Sequence, residues 1–407
     1  MAFARKSNKV VFLTENSFGS SLGGLEQHMF YLAQELTKRG LDVTILALRV
    51  GRTSSSSKRT IPVGDSYFTV EEYVRFNPLF LLTSFLGRHV SGKAGFLPAL
   101  VEKLLPNLHL RVLTRRVAEI DPDLVHQHDY FSNIVASKIL ARRWPVIFTN
   151  HTGQYLFMER SAPARAIQRF LLRHFRAIIG PSEELTPVNN RSVFISNGVD
   201  VEFFDGPRNE PAERLVVICP RRWAPTKGVR YLAEAMTMLS SDEQQQLLVL
   251  FAGSESNDYP WYAEEVRAIL RNAPDEMYQL LGNLDQAQLR DQYLRSDVVA
   301  IPSLMEATSL AAMEGMACGL PVLSTNVGGM PNVVVNESVG WLVEPADSTA
   351  LRDTLSWIIA NRPMLGAMSA ASRDFVRSSR SWQQISDRTI AVYATAHAPM
   401  AQHAVDR

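Results

Sequence analysis

At 407 residues the chain exceeds what one hydrophobic core usually serves, so two domains are expected. Apolar residues make up 46% and charged residues 20%, the balance of a folded globular chain, which excludes a disordered or fibrous one. The net charge of +1 hides an asymmetry: residues 1–200 carry 25 Lys+Arg against 16 Asp+Glu, and the remainder 17 against 25. That asymmetry points to an anionic partner for the first half, or to attraction between the halves. Two cysteines, Cys219 and Cys318, both in core-like segments, argue against a disulfide framework and suit a reducing compartment. No Cys/His metal-ligand cluster appears, and the longest greasy stretch, Pro78 to Leu86, is too short to span a bilayer.

The N-terminus, MAFARKSNKVVFLTEN, is basic and passes straight into a strand without the apolar stretch of a signal peptide, so a cytoplasmic protein is expected. After KVVFLTEN comes a Gly/Ser turn, SFGSSLGG, and then LEQHMFYLAQELTKRG. Leu25, Met29, Leu32, Ala33 and Leu36 form the stripe of an amphipathic helix that Gly40 stops. LDVTILAL is the next strand, giving a βαβ opening with a glycine-rich first turn. Residues 51–60 read as a polar loop, and residues 71–120 as an apolar, basic, largely helical region. DLVHQH and PVIFTNH are strands ending in histidines; His126 and His128 are expected on opposite sides of theirs, one of them structural. Arginines at 160, 165, 169, 173 and 176 fall near one helical face. The pattern restarts with RLVVICPRRW and alternates strands and helices at βα spacing, ending in a helix, SWQQISDRTIAVYATAH, with no strand after it. The expectation is an α/β chain of two doubly wound domains with a cleft between them.

The segment Ile301 to Pro331 carries the most chemistry. It reads as a buried strand, a loop, a short helix with Thr308 or Ser309 as N-cap, a Gly319 stop, a second strand and the Gly328-Gly329 turn. A strand-to-helix turn of this kind suits a phosphate. Glu306 and Glu314 would repel one, so they suit hydroxyl donors, and a ligand with both phosphates and diols is a nucleotide sugar.

With PRRWAPTKG, FAGS, LLGN and the run from Glu306 to Gly329 in order, the chain resembles the retaining family 4 glycosyltransferases (glycosyl transferases group 1), over nearly its whole length. The resemblance implies a GT-B fold: two Rossmann-like domains facing a cleft, here residues 1–197 on the acceptor side and 198–385 binding the nucleotide sugar. A helix and tail at 386–407 would cross back to the first domain. It implies that Arg222 and Lys227 clamp the donor diphosphate, that Glu306 holds the transferred sugar, and that Glu314 accepts from the ribose. Gly23 and Gly24 resemble the first-turn glycines near the diphosphate, and His151 a histidine aimed at the sugar. Thr308, Ser309 and Leu310 lie where a helix start meets the phosphates, and Leu284 where the base sits. Arg221 is assigned to a basic surface loop. Two departures stand out: Ser309 replaces the usual glycine, and Gly315 the usual alanine, which costs a helix about 1 kcal/mol.

The implied reaction moves a sugar from a UDP-sugar, or secondly GDP-mannose, to a sugar or lipid-linked acceptor hydroxyl with retention. No cofactor, no metal and no nucleic acid are expected. His126, His128 and His151 are the alternative metal set, with no carboxylates to accompany them. Synthesis of a cell-surface polysaccharide, lipopolysaccharide or glycolipid is the expected setting. Basic and apolar residues interleaved over 75–116 (Arg75, Phe76, Arg88, Lys93, Lys103, Arg111 among them), with the arginines from 160 to 176, suit an anionic membrane surface or a lipid-linked acceptor, and equally an amphipathic face packed on the first domain's sheet. The location is then cytoplasmic, or peripheral on the inner face of the membrane. The alternatives are a nucleotide-sugar epimerase of the same fold and a non-enzymatic two-lobed solute-binding protein.

Overall fold

Runs of consecutive apolar residues become strands buried on both faces, and in this chain they recur in two sets. The computed structural model describes residues 8–18, 24–80, 104–129, 131–151, 162–182, 186–187, 191–207, 213–256 and 258–397. The chain divides into two units, Met1–Ile195 with Ile385–Arg407, and Ser196–Gln384.

Among the described residues, the first unit is built on β1 (Lys9–Thr14), β2 (Asp42–Gly51), β3 (Ser55–Val63), β4 (Ser66–Phe76), β5 (Leu124–Gln127), β6 (Val146–Thr149), β7 (Ala177–Gly180) and β8 (Ser192–Phe194). Their order is β3-β4-β2-β1-β5-β6-β7-β8, parallel except for the β3–β4 hairpin. The helix Gly24–Lys38 makes the first crossover, burying Met29, Leu32, Ala33 and Leu36. The βαβ opening is therefore as expected.

Residues 55–63 are a strand rather than a loop, and 66–76 a strand rather than the start of a helical region. The first was hidden by polar composition. β3 is an edge strand, where exposed Ser, Thr, Lys and Arg are tolerated. β4 carries Glu71 into the interior, where Arg116 clamps it through both oxygens at 2.7 and 2.8 Å, with Lys58 at 3.1 Å and the Tyr73 hydroxyl at 2.8 Å. Burial raises that carboxyl, but these partners outweigh burial and hold it at about 2. Helical residues are described at 78–80 and again from Leu104, through Leu105–His109 and Leu110–Ile120. Arg88, Lys93, Lys103 and Arg160 lie outside the described residues.

The second unit is built on β9 (Leu215–Cys219), β10 (Leu247–Phe251), β11 (Tyr278–Leu280), β12 (Val298–Ile301), β13 (Val322–Thr325) and β14 (Gly340–Val343). They run parallel in the order β11-β10-β9-β12-β13-β14. Alternation along β9 sends Leu215, Val217 and Cys219 into one apolar core and Val216 and Ile218 into another. Helices therefore cover both faces, the doubly wound arrangement. Cys219 and Cys318 lie in different cores, both free, each thiol pushed up to about 12 by burial.

The last helix, Trp382–His397, starts in the second unit and continues in the first from Ile385. Asp387 accepts from Arg39 Nε at 2.8 Å, and the Arg388 guanidinium donates to the Phe194 carbonyl at 2.6 Å. Among the described residues, no helix is long and apolar enough to cross a membrane.

Candidate active site

In an open parallel sheet, ligands bind beyond the carboxyl ends of the strands where the strand order reverses. In the second unit that point lies between β9 and β12, which are neighbours although β10 and β11 intervene in the chain. β9 runs on into Pro220, Arg221 and Arg222; β12 runs on into the loop that holds Glu306. The two loops are tied together, since Leu304 and Met305 donate their backbone N–H groups to the Thr226 carbonyl at 2.9 and 3.2 Å. Gly228 permits this approach. Its φ is +64°, and a Cβ there would stand 1.8 Å from the Pro302 carbonyl oxygen.

Glu306 is the electrostatic centre. Its Oε2 accepts from Lys227 Nζ at 2.9 Å, from Ser303 Oγ at 3.3 Å and from the Arg221 guanidinium. Burial pushes this carboxyl up, but Arg221 and Lys227 outweigh it and hold it below the usual range. The Lys227 ammonium is pushed down by burial and by Arg221, with only partial relief from Glu306. Lys227 and Glu306, assigned from sequence to different parts of a donor, are thus direct partners here.

Arg221 corrects the sequence reading. It is buried, not on a surface loop, and Arg222 is the exposed member of the pair. Arg221 Nη1 donates to Ser309 Oγ at 3.1 Å. Two adjacent arginines give no sequence signal as to which turns inward; in the structure Arg221 is buried together with Trp223, two residues on.

Ser309 is the N-cap of the helix Leu310–Ala317, its Oγ accepting from Ala312 N at 3.3 Å. The hydroxyl that stands where a glycine was expected is therefore engaged by the cap and by Arg221. Thr308 is buried, its carbonyl accepting from Asn197 Nδ2 at 3.4 Å, and Leu310 opens the helix half-buried. Glu314, one turn further on, is buried and has, among the described residues, one side-chain partner, the Tyr293 hydroxyl at 3.4 Å. Burial drives its carboxyl up to about 7, against that hydrogen bond and the Arg221 charge. Gly315 lies where this helix crosses β12: a Cβ there would meet Val299 Cγ1 at 2.8 Å, so close packing requires the glycine. Leu284 is half-buried in the loop before the helix Gln286–Leu294, against the core on that face.

In the first unit the strand order reverses between β1 and β5. His128 follows β5 directly, its N–H donating to the Leu13 carbonyl at 2.9 Å. Its Nδ1 lies 3.2 Å from Nε2 of His151, which follows β6, and the two rings stack at 5.4 Å. The His28 ring, from the first helix, stands 4.4 Å from that of His151. His126 packs 4.0 Å from His128, so the two share a side; residues two apart on a strand face the same way, and the expectation of opposite sides fails. His126 is the structural one, spanning Tyr393 Oη at 2.8 Å and Thr149 Oγ1 at 2.7 Å. Burial, reinforced by neighbouring imidazoles, holds His126, His128 and His151 well below their ordinary values, so they are neutral at neutral pH. One nitrogen from each of His28, His128 and His151 lies within 4.8 Å of the others, a set that includes His28 in place of His126. Gly24 opens the first helix, exposed; Gly23 lies outside the described residues.

Residues 22–203 match the family model for Glycosyltransferase Family 4, and residues 200–375 that for Glycosyl transferases group 1. The chain is 25% identical to a glycogen synthase of Mycobacterium tuberculosis, over 92% of each protein. It is 27% identical to a D-inositol 3-phosphate glycosyltransferase of Geodermatophilus obscurus, covering 93% of this chain and 86% of that one. Among solved structures, sucrose-phosphate synthase from Thermosynechococcus elongatus superposes with a TM-score of 0.72 at 19% identity, covering 95% of this chain and 98% of that one. Anabaena HepE, solved in complex with UDP, superposes with a TM-score of 0.70 at 17% identity, covering 95% of this chain and 100% of that one.

Proposed function

The chain belongs to the family 4 glycosyltransferases of GT-B fold, and from that premise we propose that it transfers a sugar, with retention, from a UDP-sugar to an acceptor hydroxyl. The observation that carries this is the pairing of Lys227 with Glu306 where the strand order reverses, with Glu314 buried on the helix that follows. A diphosphate needs cations, and Arg222 and Lys227 supply a planar fork and a mobile point charge. Glu306, ionised, accepts from a hydroxyl of the transferred sugar; Glu314 accepts from the ribose; Leu284 lines the base; the helix start at Thr308, Ser309 and Leu310 turns toward the phosphates. In the first unit, the neutral imidazole of His151 serves the sugar, and Gly23 and Gly24 the approach of backbone to the donor.

The anomeric carbon–phosphate oxygen bond breaks, the acceptor oxygen bonds to that carbon on the same face, and its proton passes to a departing phosphate oxygen. No carboxylate nucleophile is required. The protein contributes position and charge stabilisation, with arginine and lysine in place of a metal as the counter-charge of the leaving group. UDP is favoured over GDP because HepE, similar in fold, was solved with UDP; GDP-mannose is the second donor. The test is a thermal-shift screen of UDP, GDP and their sugars, since only a ligand of the folded state raises the melting temperature. UDP should give the largest shift, and transfer should survive a chelator. A protein that no nucleotide diphosphate stabilises would not be this enzyme. Donor turnover in the absence of acceptor would favour the epimerase.

The acceptor in this reading is lipid-linked, in synthesis of a surface polysaccharide, lipopolysaccharide or glycolipid. The helix Ala162–Leu172 buries Gln168 and Leu172 but exposes Ile167 and Phe170 beside exposed Arg165, Arg169 and, just beyond its end, Arg173. Lys138 and Arg173 each lie 4.2 Å from the Phe170 ring, and neither this helix nor the neighbouring Ile134–Leu140 contains an acidic residue. Apolar side chains flanked by cations suit an anionic bilayer surface. The protein should sediment with anionic but not neutral liposomes at low salt; no sedimentation with either would remove the membrane from the proposal.

A further inference from the structure

Arg221 has no role in the reaction as outlined, yet it is the most deeply buried cation of the site. Its side chain is 9% exposed. One guanidinium nitrogen donates to Ser309 Oγ and another to Glu306 Oε2, and Nε is sealed from solvent with no partner among the described residues. Glu306 therefore has two cations, Arg221 and Lys227, on a single oxygen. Its Oε1 accepts no hydrogen bond among the described residues and remains for a ligand hydroxyl.

One carboxylate does not need a buried arginine in addition to Lys227. The redundancy acquires a use when a donor binds. Lys227 sits on a short turn and carries a flexible stem; Arg221, in the loop after β9, is pinned at two points, Glu306 in the loop after β12 and Ser309 at the cap of the helix Leu310–Ala317. A diphosphate competes with Glu306 for the Lys227 ammonium. If Lys227 were the only counter-charge, each donor bound would leave a buried carboxylate unpaired, which is strongly unfavourable.

We propose that Arg221 is a positioning residue that keeps Glu306 ionised and oriented when Lys227 moves to the leaving diphosphate, with Ser309 as its second anchor. This rests on the reading of Glu306 as the sugar-holding carboxylate, and it assigns a purpose to a side chain at position 309. The other charged groups acting on the pair are Arg222, whose charge pushes the Lys227 ammonium down, and Glu314, which feels the charge of Arg221.

The test is the pH profile of kcat for Arg221→Met, Arg221→Lys and Ser309→Ala, with nucleotide binding followed by thermal shift. Without the guanidinium, Glu306 takes up a proton more readily. The acid limb of Arg221→Met should therefore move up by about one pH unit, with a rate loss of roughly tenfold below the limb that recedes as pH rises. Arg221→Lys should hold the limb near the wild-type position, and Ser309→Ala should lower kcat severalfold without moving it. A wild-type enzyme that transfers sugar while Arg221→Met matches it across the pH range would overturn this role alone. Should the methionine variant not fold, an Arg221→Lys limb displaced upward by about one pH unit would overturn it as well. A wild-type protein that binds no nucleotide diphosphate would overturn both this role and the function beneath it.

Discussion

The two points of strand-order reversal bury polar groups in opposite ways. In the second unit, buried charges compensate one another: Glu306 lies against Lys227 and Arg221. In the first, the buried groups are imidazoles kept neutral, packed ring on ring. Burial acts on both, and what differs is whether an opposite charge is near enough to offset desolvation. A compensated set can exchange a partner for a charged ligand; a neutral set suits hydrogen bonding to an uncharged one. The contrast recurs within eight residues of the second unit, since Glu306 with its cations stays ionised while Glu314, with one weak partner, is driven up to about 7.

The largest effect should come from removing the mobile cation. Lys227→Ala should lower kcat/KM by about a hundredfold, roughly 3 kcal/mol of leaving-group stabilisation, while the protein melts near the wild-type temperature. A near-normal transfer rate would show that the charges of this site are structural and that the contrast has no bearing on chemistry.

The pH dependence of stability should separate the uncompensated carboxyl from the imidazoles, because Glu314 is pushed up and they are pushed down, so they act with opposite sign. Glu314 has a folded pKa near 7, above its unfolded value. Its contribution is full below about 4.5 and is lost as pH rises through 7, up to about 3 kcal/mol. His126, His128 and His151 have folded values below the unfolded one. Their contribution is full above about 6.5 and is lost as pH falls. Melting followed from pH 4 to 8 in wild type and Glu314→Gln should show the variant losing less stability on the alkaline side. Identical curves would place Glu314 in a far more polar environment than its burial implies.

A smaller change separates the two glutamates by function. Glu314→Ala should raise the apparent donor KM about tenfold with little effect on kcat, as expected for uniform binding through the ribose. An unchanged KM would take Glu314 away from the donor. The smallest effect concerns the scaffold. Gly315→Ala gains about 1 kcal/mol of helix propensity, yet the added methyl collides with Val299, and overpacking of this kind costs about 1–3 kcal/mol. Chemical denaturation should show a net loss of roughly 1 kcal/mol; a stabilised variant would mean that β12 yields easily.

Much of the fold was legible because period and punctuation agree. VVFLT, VVICP and VVAI are too short and too uniformly apolar for anything but buried parallel strands, and Gly40 and Gly319 end helices where they stand. The β3–β4 hairpin was not legible, because an edge strand wears the composition of a loop and the arginine that clamps Glu71 is remote in sequence; Arg116 stands 45 residues away. At the site, Lys227, Glu306, Ser309 and Glu314 were found from residue type and spacing, and Lys227 and Glu306 meet. Arg221 was missed because two adjacent arginines are chemically equal until the backbone turns one of them inward.

The sequence by itself determined the buried parallel strands, the helix stops at Gly40 and Gly319, and which residues could carry charge to a diphosphate, because those depend on local periodicity and residue chemistry. The tertiary structure alone decided which arginine of the pair is buried, which oxygen of Glu306 is taken and which remains, and that His126 is structural while His28 joins His128 and His151. Each of these turns on contacts between residues from about 20 to more than 250 positions apart, which only the pairing of strands and the crossing of helices bring within hydrogen-bonding distance.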